Sequence, residues 1–311
     1  MASRLAAWGW IGLVPVAAVM AWYHGFTWEL VARSAGVGFA GGLAGGLIAG
    51  AIGLVSVPLI TLVLGIPIHQ AVATNLFQTI FTAATGAASH RRLGNVDLRL
   101  STALLAGAFP GAPVGAMASL RLSETALRGL FAGILLLMAA NLLRRLARGK
   151  GAKPPRPLWA KAVERLEADG RVAQAAWWKQ PIEGTFRGHH YHIPRYLPVL
   201  LGAGIGFTSG LLGIGGGFLV TPLVATILHV PTHLAVGTGL VVISGNSLFG
   251  VAPHMLAGNV LFTVGVLLAI GGSIGAQIGS RLSHHLPERA LYALFFVTLL
   301  VVAWRMSPWT F

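Results

Sequence analysis

A shift of 164 residues lays this chain on itself: residues 42–131 align with 206–295 without a gap, and about thirty of the ninety positions are identical. The matches are not interchangeable hydrophobics. Pro58 falls on Pro222, Pro67 on Pro231, His69 on His233, Thr74 on Thr238, His90 on His254, Gly94-Asn95-Val96 on Gly258-Asn259-Val260, and Glu124 on Glu288. The chain is an internal duplication, so whatever one half folds into, the other must fold into as well.

What each half can fold into follows from its apolar runs. Stretches of about 20 residues, enough to span a hydrocarbon core of roughly 30 Å, lie near 5–23, 34–52, 71–89, 99–120, 126–143, 197–213, 235–253, 262–282 and 289–305. Hydrophobic residues make up 55% of the chain, charged residues only 10%, and the mean hydropathy of +0.75 excludes a water-soluble globule and a disordered chain alike. The expected fold is an all-α, polytopic membrane protein. Two shorter runs, 54–65 and 217–229, each follow a glycine cluster and contain a proline, Pro58 or Pro222. They are too short to span, and read as half-helices, which survive at membrane depth only when buried in protein or facing a watery cavity. The first run, 5–23, is long and lacks a small-residue cleavage site, so it reads as a retained helix.

The net charge of +14 would suit a nucleic-acid binder if the charge formed a patch. Instead, twelve of the 22 Lys and Arg residues lie between Arg144 and Arg195, and the other ten sit at the ends of apolar stretches. That is the positive-inside pattern of a membrane protein. The connection 90–99 carries Arg91, Arg92 and Arg99, where its second-half equivalent has Met255, Leu256 and Thr263. The first connection is therefore expected in the cytoplasm and the second outside. Five segments per half, with each short run folding back on its predecessor, turn the second half upside down and make the two halves inverted repeats. The expected division is an N-terminal helix and loop at 1–33, a first membrane repeat at 34–144, a basic cytoplasmic insertion at 145–195 and a second membrane repeat at 196–311. In the insertion, the amphipathic stretch 158–166 and Trp177-Trp178 suit the lipid surface, and His189-His190-Tyr191-His192 reads as a solvated loop rather than a metal site.

Enzyme chemistry is missing. There is no cysteine, no nucleotide-binding G-x-x-x-x-G-K-[ST], no H-E-x-x-H and no G-x-S-x-G, and none of the eight acids lies inside an apolar run. No catalytic residue, cofactor or metal is expected. The glycines at Gly42, Gly46, Gly107, Gly111, Gly115 and their partners Gly206, Gly210, Gly271, Gly275 and Gly279 recur at spacings of four, as close helix crossing requires. The clusters ending at Gly53 and at Gly215, Gly216 and Gly217 differ, because each opens a short helix. A half-helix N-terminus presents unpaired N–H groups and partial positive charge, and glycine lets an anion approach closely. The following helix of each half adds neutral polar groups: Thr74, Asn75, Gln78, Thr79, Thr82 and Thr85 in the first, and Thr238, Ser244, Asn246 and Ser247 in the second. A primary amide in hydrocarbon needs partners, so Asn75, Gln78 and Asn246 point to a polar cavity. His69 and His233, each after a proline, are placed for gating or proton coupling. Without a carboxylate at depth, a carboxylate proton relay is not expected. The membrane potential alone expels an anion with roughly 2.3 kcal/mol per charge per 100 mV.

The motifs Gly213-x-Gly215-Gly216-Gly217 with Pro222, Val230-Pro231-Thr232-His233-x-Ala235-Val236-Gly237-Thr238, and His90-x-x-x-Gly94-Asn95-Val96-Asp97 give the sequence a resemblance to the TauE/SafE family of membrane proteins. The resemblance implies export of sulfite or a small organosulfonate across the bacterial cytoplasmic membrane. The first half has Ala51-Ile52-Gly53 in place of three glycines and Ala73 in place of Gly237, so the second half is expected to hold the anion more closely. The candidate substrate-binding residues are thus Gly53, Thr74, Asn75, Gln78, Gly215, Gly216, Gly217, Thr238, Ser244 and Asn246. Expected partners are a small anion and membrane lipids, with a second copy of the chain left open, and no nucleic acid. The alternatives are a permease for another small carboxylate or sulfur oxyanion, or a non-transporting accessory subunit.

Overall fold

The computed structural model describes residues 27–47, 51–148, 181–186, 189–228 and 230–282. The expectations for 5–23, 158–166, Trp177-Trp178, 289–305 and the C-terminus lie outside those residues. Among the described residues the chain forms nine helices and one β-hairpin. Five helices belong to the first half: α1 (Trp28–Leu47), α2 (Ala51–Leu64), α3 (Ile68–Arg92), α4 (Leu98–Arg121) and α5 (Glu124–Arg148). The hairpin follows as β1 (Pro181–Phe186) and β2 (His189–Pro194), then α6 (Tyr196–Leu212), α7 (Gly217–Ile227), α8 (Thr232–Leu256) and α9 (Phe262–Leu282). Helices α1, α4, α8 and α9 contain stretches long and apolar enough to cross a membrane, and the chain is a multi-pass membrane protein.

The duplication governs the packing. Adding 164 to the bounds of α3 gives the bounds of α8, and the turns that follow match too, with Gly94 at φ 71° and Gly258 at φ 70°. Helix α1 lies along α9, and α4 lies along α6, so each half lends its first helix to the fourth helix of the other. The glycines make this possible. A β-carbon at Gly38, Gly42 or Gly46 would strike the backbone of Leu268, Gly272 or Ala276, and one at Gly202, Gly206 or Gly210 would strike Leu104, Ala108 or Ala112 at the equivalent positions. From the opposite side, Gly107, Gly111 and Gly115 meet the backbones of Val199, Ala203 and Phe207, while Gly271, Gly275 and Gly279 meet those of Ala35, Phe39 and Leu43. Close approach of this kind drives association where lipid is as apolar as the side chains.

Helices α3 and α8 cross at the centre. Leu76 lies by Gly250, Ile80 by Ser244 and Gly86 by Leu240, so the two run with opposite polarity. The Ser244 hydroxyl donates to the Ile80 carbonyl at 2.9 Å, and these two residues are equivalent under the repeat. Two further bonds form a matched pair: the Asp97 amide donates to Thr238 Oγ1 at 3.0 Å, and the Leu261 amide donates to Thr74 Oγ1 at 3.1 Å. Each half thereby pins the turn of the other. Helix α2 folds back on α1, Gly41 meeting Ser56 and Gly45 meeting Ile52.

The insertion departs from the expected linker at its C-terminal end. Residues 181–186 and 189–194 pair antiparallel, with Ile182 opposite Ile193, and both isoleucines are buried. Ile193 joins the apolar cluster of Leu100, Leu104 and Ile205, so burial of that pair seats the hairpin on α4 and α6. The His-rich run is a strand, and polarity alone hid it.

The interlock makes a stability prediction. Gly107→Leu and Gly271→Leu should each destabilise the detergent-solubilised protein by about 1–3 kcal/mol or more through overpacking. Gly204→Leu, on α6 where nothing lies within 4 Å of the added carbon, should leave the melting temperature nearly unchanged.

Candidate anion site at the break between two helices

Helix α6 ends and α7 begins across residues 213–216, of which Gly213, Gly215 and Gly216 have φ of 68°, 73° and 74°. An L side chain is disfavoured in that region. Space excludes one as well. A β-carbon at Gly213 would run into Val72, one at Gly215 into Ile243, Ser247 and Thr79, and one at Gly216 into Ile205 and Ser209. The break is therefore wrapped by α3, α6 and α8, where protein rather than lipid must meet its polar backbone.

The two ends of the break are treated differently. The last carbonyls of a helix lack partners, and here the Asn75 amide donates its Nδ2 hydrogen to the Gly213 carbonyl at 2.5 Å. Gln78 Nε2 then donates to Asn75 Oδ1 at 2.8 Å, which fixes the orientation of the Asn75 side chain. On the other side, the amides of Leu219 and Val220 turn to the Gly216 carbonyl at 3.0 and 3.1 Å. The N-cap of α7 is Gly216, which supplies no side-chain cap. The first N–H groups of α7 thus face the break together with the positive end of the helix dipole.

Three hydroxyl-bearing residues pack against the break. Thr79 Oγ1, Ser209 Oγ and Ser247 Oγ are buried without a hydrogen-bond partner, and Ser247 Oγ lies 3.0 Å from where a β-carbon on Gly215 would sit. The helices around the break carry no Lys and no Arg apart from Arg91 and Arg92 at the far end of α3. Neutral donors and a helix terminus can hold a small anion without the desolvation cost of a buried cation.

Nine of the ten candidate substrate-binding residues fall into two groups. Asn75, Gln78, Gly215, Gly216 and Gly217 come together at the break, and so does Gly53. Gly53 lies in the first turn of α2, and a β-carbon there would meet the backbone of Ile214, so this glycine of the first half abuts the break of the second. Thr74, Thr238 and Ser244 turn instead to the contacts between halves described above. Asn246 is buried on α8 with neither Nδ2 nor Oδ1 partnered, at the position equivalent to Thr82. His69 is half-buried near the start of α3, with Nδ1 unpartnered, and His233 is exposed at the start of α8. The helix ends also bury His90 and His254, which the sequence weights less than the two histidines after proline.

The first half has no matching open break among the described residues. Ala51 and Ile52 are helical and buried where the second half has Gly215 and Gly216. Ser209, which lines the break, had no signal in the repeat because its equivalent is Gly45.

Asn75→Ala should leave the Gly213 carbonyl bare and lower stability by about 1–3 kcal/mol, measured as a fall in melting temperature in detergent. Ser247→Ala should weaken anion binding in a titration roughly tenfold or more while the protein stays monodisperse.

Comparison with known proteins places this architecture. The sequence profile described as sulfite exporter TauE/SafE matches residues 34–306. The probable membrane transporter YunE of Bacillus subtilis is 22% identical over 241 residues, covering 76% of this chain and 80% of the relative. YdhB of the same organism is 27% identical over 252 residues, 80% of this chain and 89% of the relative, and YjnA is 28% identical over 278 residues, 84% and 94% respectively. Both are also described as probable membrane transporters. No solved structure matches significantly.

Proposed function

Because the chain belongs to the TauE/SafE family of membrane transporters, we propose that it exports sulfite or a small organosulfonate across the cytoplasmic membrane, binding the anion at the glycine break between α6 and α7. The observation that carries this reading is the N-terminus of α7, whose N-cap Gly216 supplies no side-chain cap, beside Thr79, Ser209 and Ser247, which pack against the break and whose buried hydroxyls have no protein partner. An oxyanion supplies acceptor oxygens to such donors. Its charge is met by the helix terminus.

Opposite polarity of α3 and α8, which are equivalent helices, supports the inverted arrangement expected from the arginines of the 90–99 connection. In that arrangement the exchange of partners between halves lets one bundle rock against the other around a central site, the usual basis of alternating access. The energy source proposed is the membrane potential. An inside-negative potential expels a monoanion without a coupled ion, and among the described residues α2, α3, α6, α7 and α8 carry no Asp or Glu.

Sealed liposomes containing the purified protein test the function. Labelled sulfite should move in response to a potassium–valinomycin potential, and Ser247→Ala should slow it. Uptake driven by a pH gradient at clamped potential and lost in His69→Ala would replace uniport with histidine-dependent coupling, and transport of small carboxylates in preference to sulfite would move the substrate class. Topology has its own test, since the chain lacks cysteine. A single cysteine at 257 should react with an impermeant thiol reagent in intact cells, and one at 93 should not.

A further inference from the structure

The amide relay beside the break ends in an acceptor, and its direction is not free to vary. The Gly213 carbonyl can only accept, so Asn75 must turn its NH2 group towards it, which leaves Asn75 Oδ1 to receive the Gln78 NH2 group. Gln78 Oε1 is then the terminus of the relay. It is fully buried and has no partner in the protein. Gln78 stands on the stripe of α3 that faces the break: Asn75, one turn before it, holds Gly213, and Thr79, next to it, packs on Gly215. The repeat offers no second copy, because the equivalents of Asn75, Gln78 and Thr79 are Gly239, Val242 and Ile243.

A bare carbonyl oxygen is out of place in a site that selects anions solely by their acceptor oxygens, since it repels them and stays unsatisfied. It is satisfied by a ligand that brings a hydrogen of its own. Resting on the anion site proposed above, we infer that this transporter selects monoanions that carry an O–H or N–H donor, such as a hydroxysulfonate, over otherwise similar anions without one, and that Gln78 Oε1 accepts that hydrogen. The oxyanion end meets the N-terminus of α7 and the hydroxyls of Ser209 and Ser247. The donor end meets Gln78. A site built around a buried hydrogen-bonding group rejects the analogue that leaves that group unpaired.

Two sulfonates of the same size decide it. 2-Hydroxyethanesulfonate and propane-1-sulfonate are both permanent monoanions at neutral pH and differ by a hydroxyl in place of a methyl. The wild-type protein in detergent should bind the hydroxysulfonate about tenfold more tightly, although its competitor is the more hydrophobic. Gln78→Met, similar in size but without the acceptor, should bring the ratio of the two affinities close to one, whatever change it brings to the affinity for propane-1-sulfonate. Equal wild-type affinities overturn the inference without any variant, and so does a tenfold ratio that survives in Gln78→Met. A requirement for sodium with no preference for the hydroxyl would assign Gln78 Oε1 to a cation and overturn it too. Failure of folded wild-type protein to bind either sulfonate, or binding unaffected by Ser247→Ala, overturns the underlying anion site instead.

Discussion

In a hydrocarbon medium every backbone polar group must find a partner inside the protein, and an interrupted helix is the hardest place to meet that demand. The break at 213–216 meets it unevenly. Its carbonyl end is sealed by Asn75, held in turn by Gln78, while at its amide end Gly216 supplies no side-chain cap. Much else in the bundle serves this arrangement. The glycines that bring α1 against α9 and α4 against α6 keep the halves close, and α3 and α8 cross where the break needs walls.

The two halves share a frame and differ in content. Thr74 and Thr238 perform the same task on the opposite half, and Ser244 and Ile80 meet where equivalent positions coincide. Against that frame, Ala51 and Ile52 replace glycines, and the polar stripe Asn75, Gln78, Thr79 faces an apolar Gly239, Val242, Ile243 in the other copy. Duplication supplies a stable interface that buries itself. Divergence within it makes Ala51 and Ile52 helical where the second half has the open break, among the described residues.

Much of this was legible in the chain. The 164-residue repeat, the spans and the four-residue spacing of glycines are properties of the backbone path, and periodicity reports them directly. The glycine break was equally plain, since Gly213, Gly215 and Gly216 adopt a conformation that other residues rarely take. What the sequence did not disclose was the direction in which hydroxyls turn. Thr74 and Thr238 sit among the same polar residues as Asn75, yet they receive amides from the opposite half, and helix spacing does not encode a contact between residues 187 apart. Ser209 was hidden because its equivalent is a glycine. The hairpin was hidden because burial of Ile182 against Ile193, not apolar alternation along a whole strand, holds it in place.

The central claim is the location of the anion, and selenite, a heavier analogue of sulfite, locates it most directly. An anomalous difference map from crystals of the protein grown with selenite should show a peak at the start of α7, in contact with the backbone amides after Gly216 and with the hydroxyl of Ser247. A peak only among the arginines of the 90–99 connection, or none in protein that transports selenite, would contradict the account.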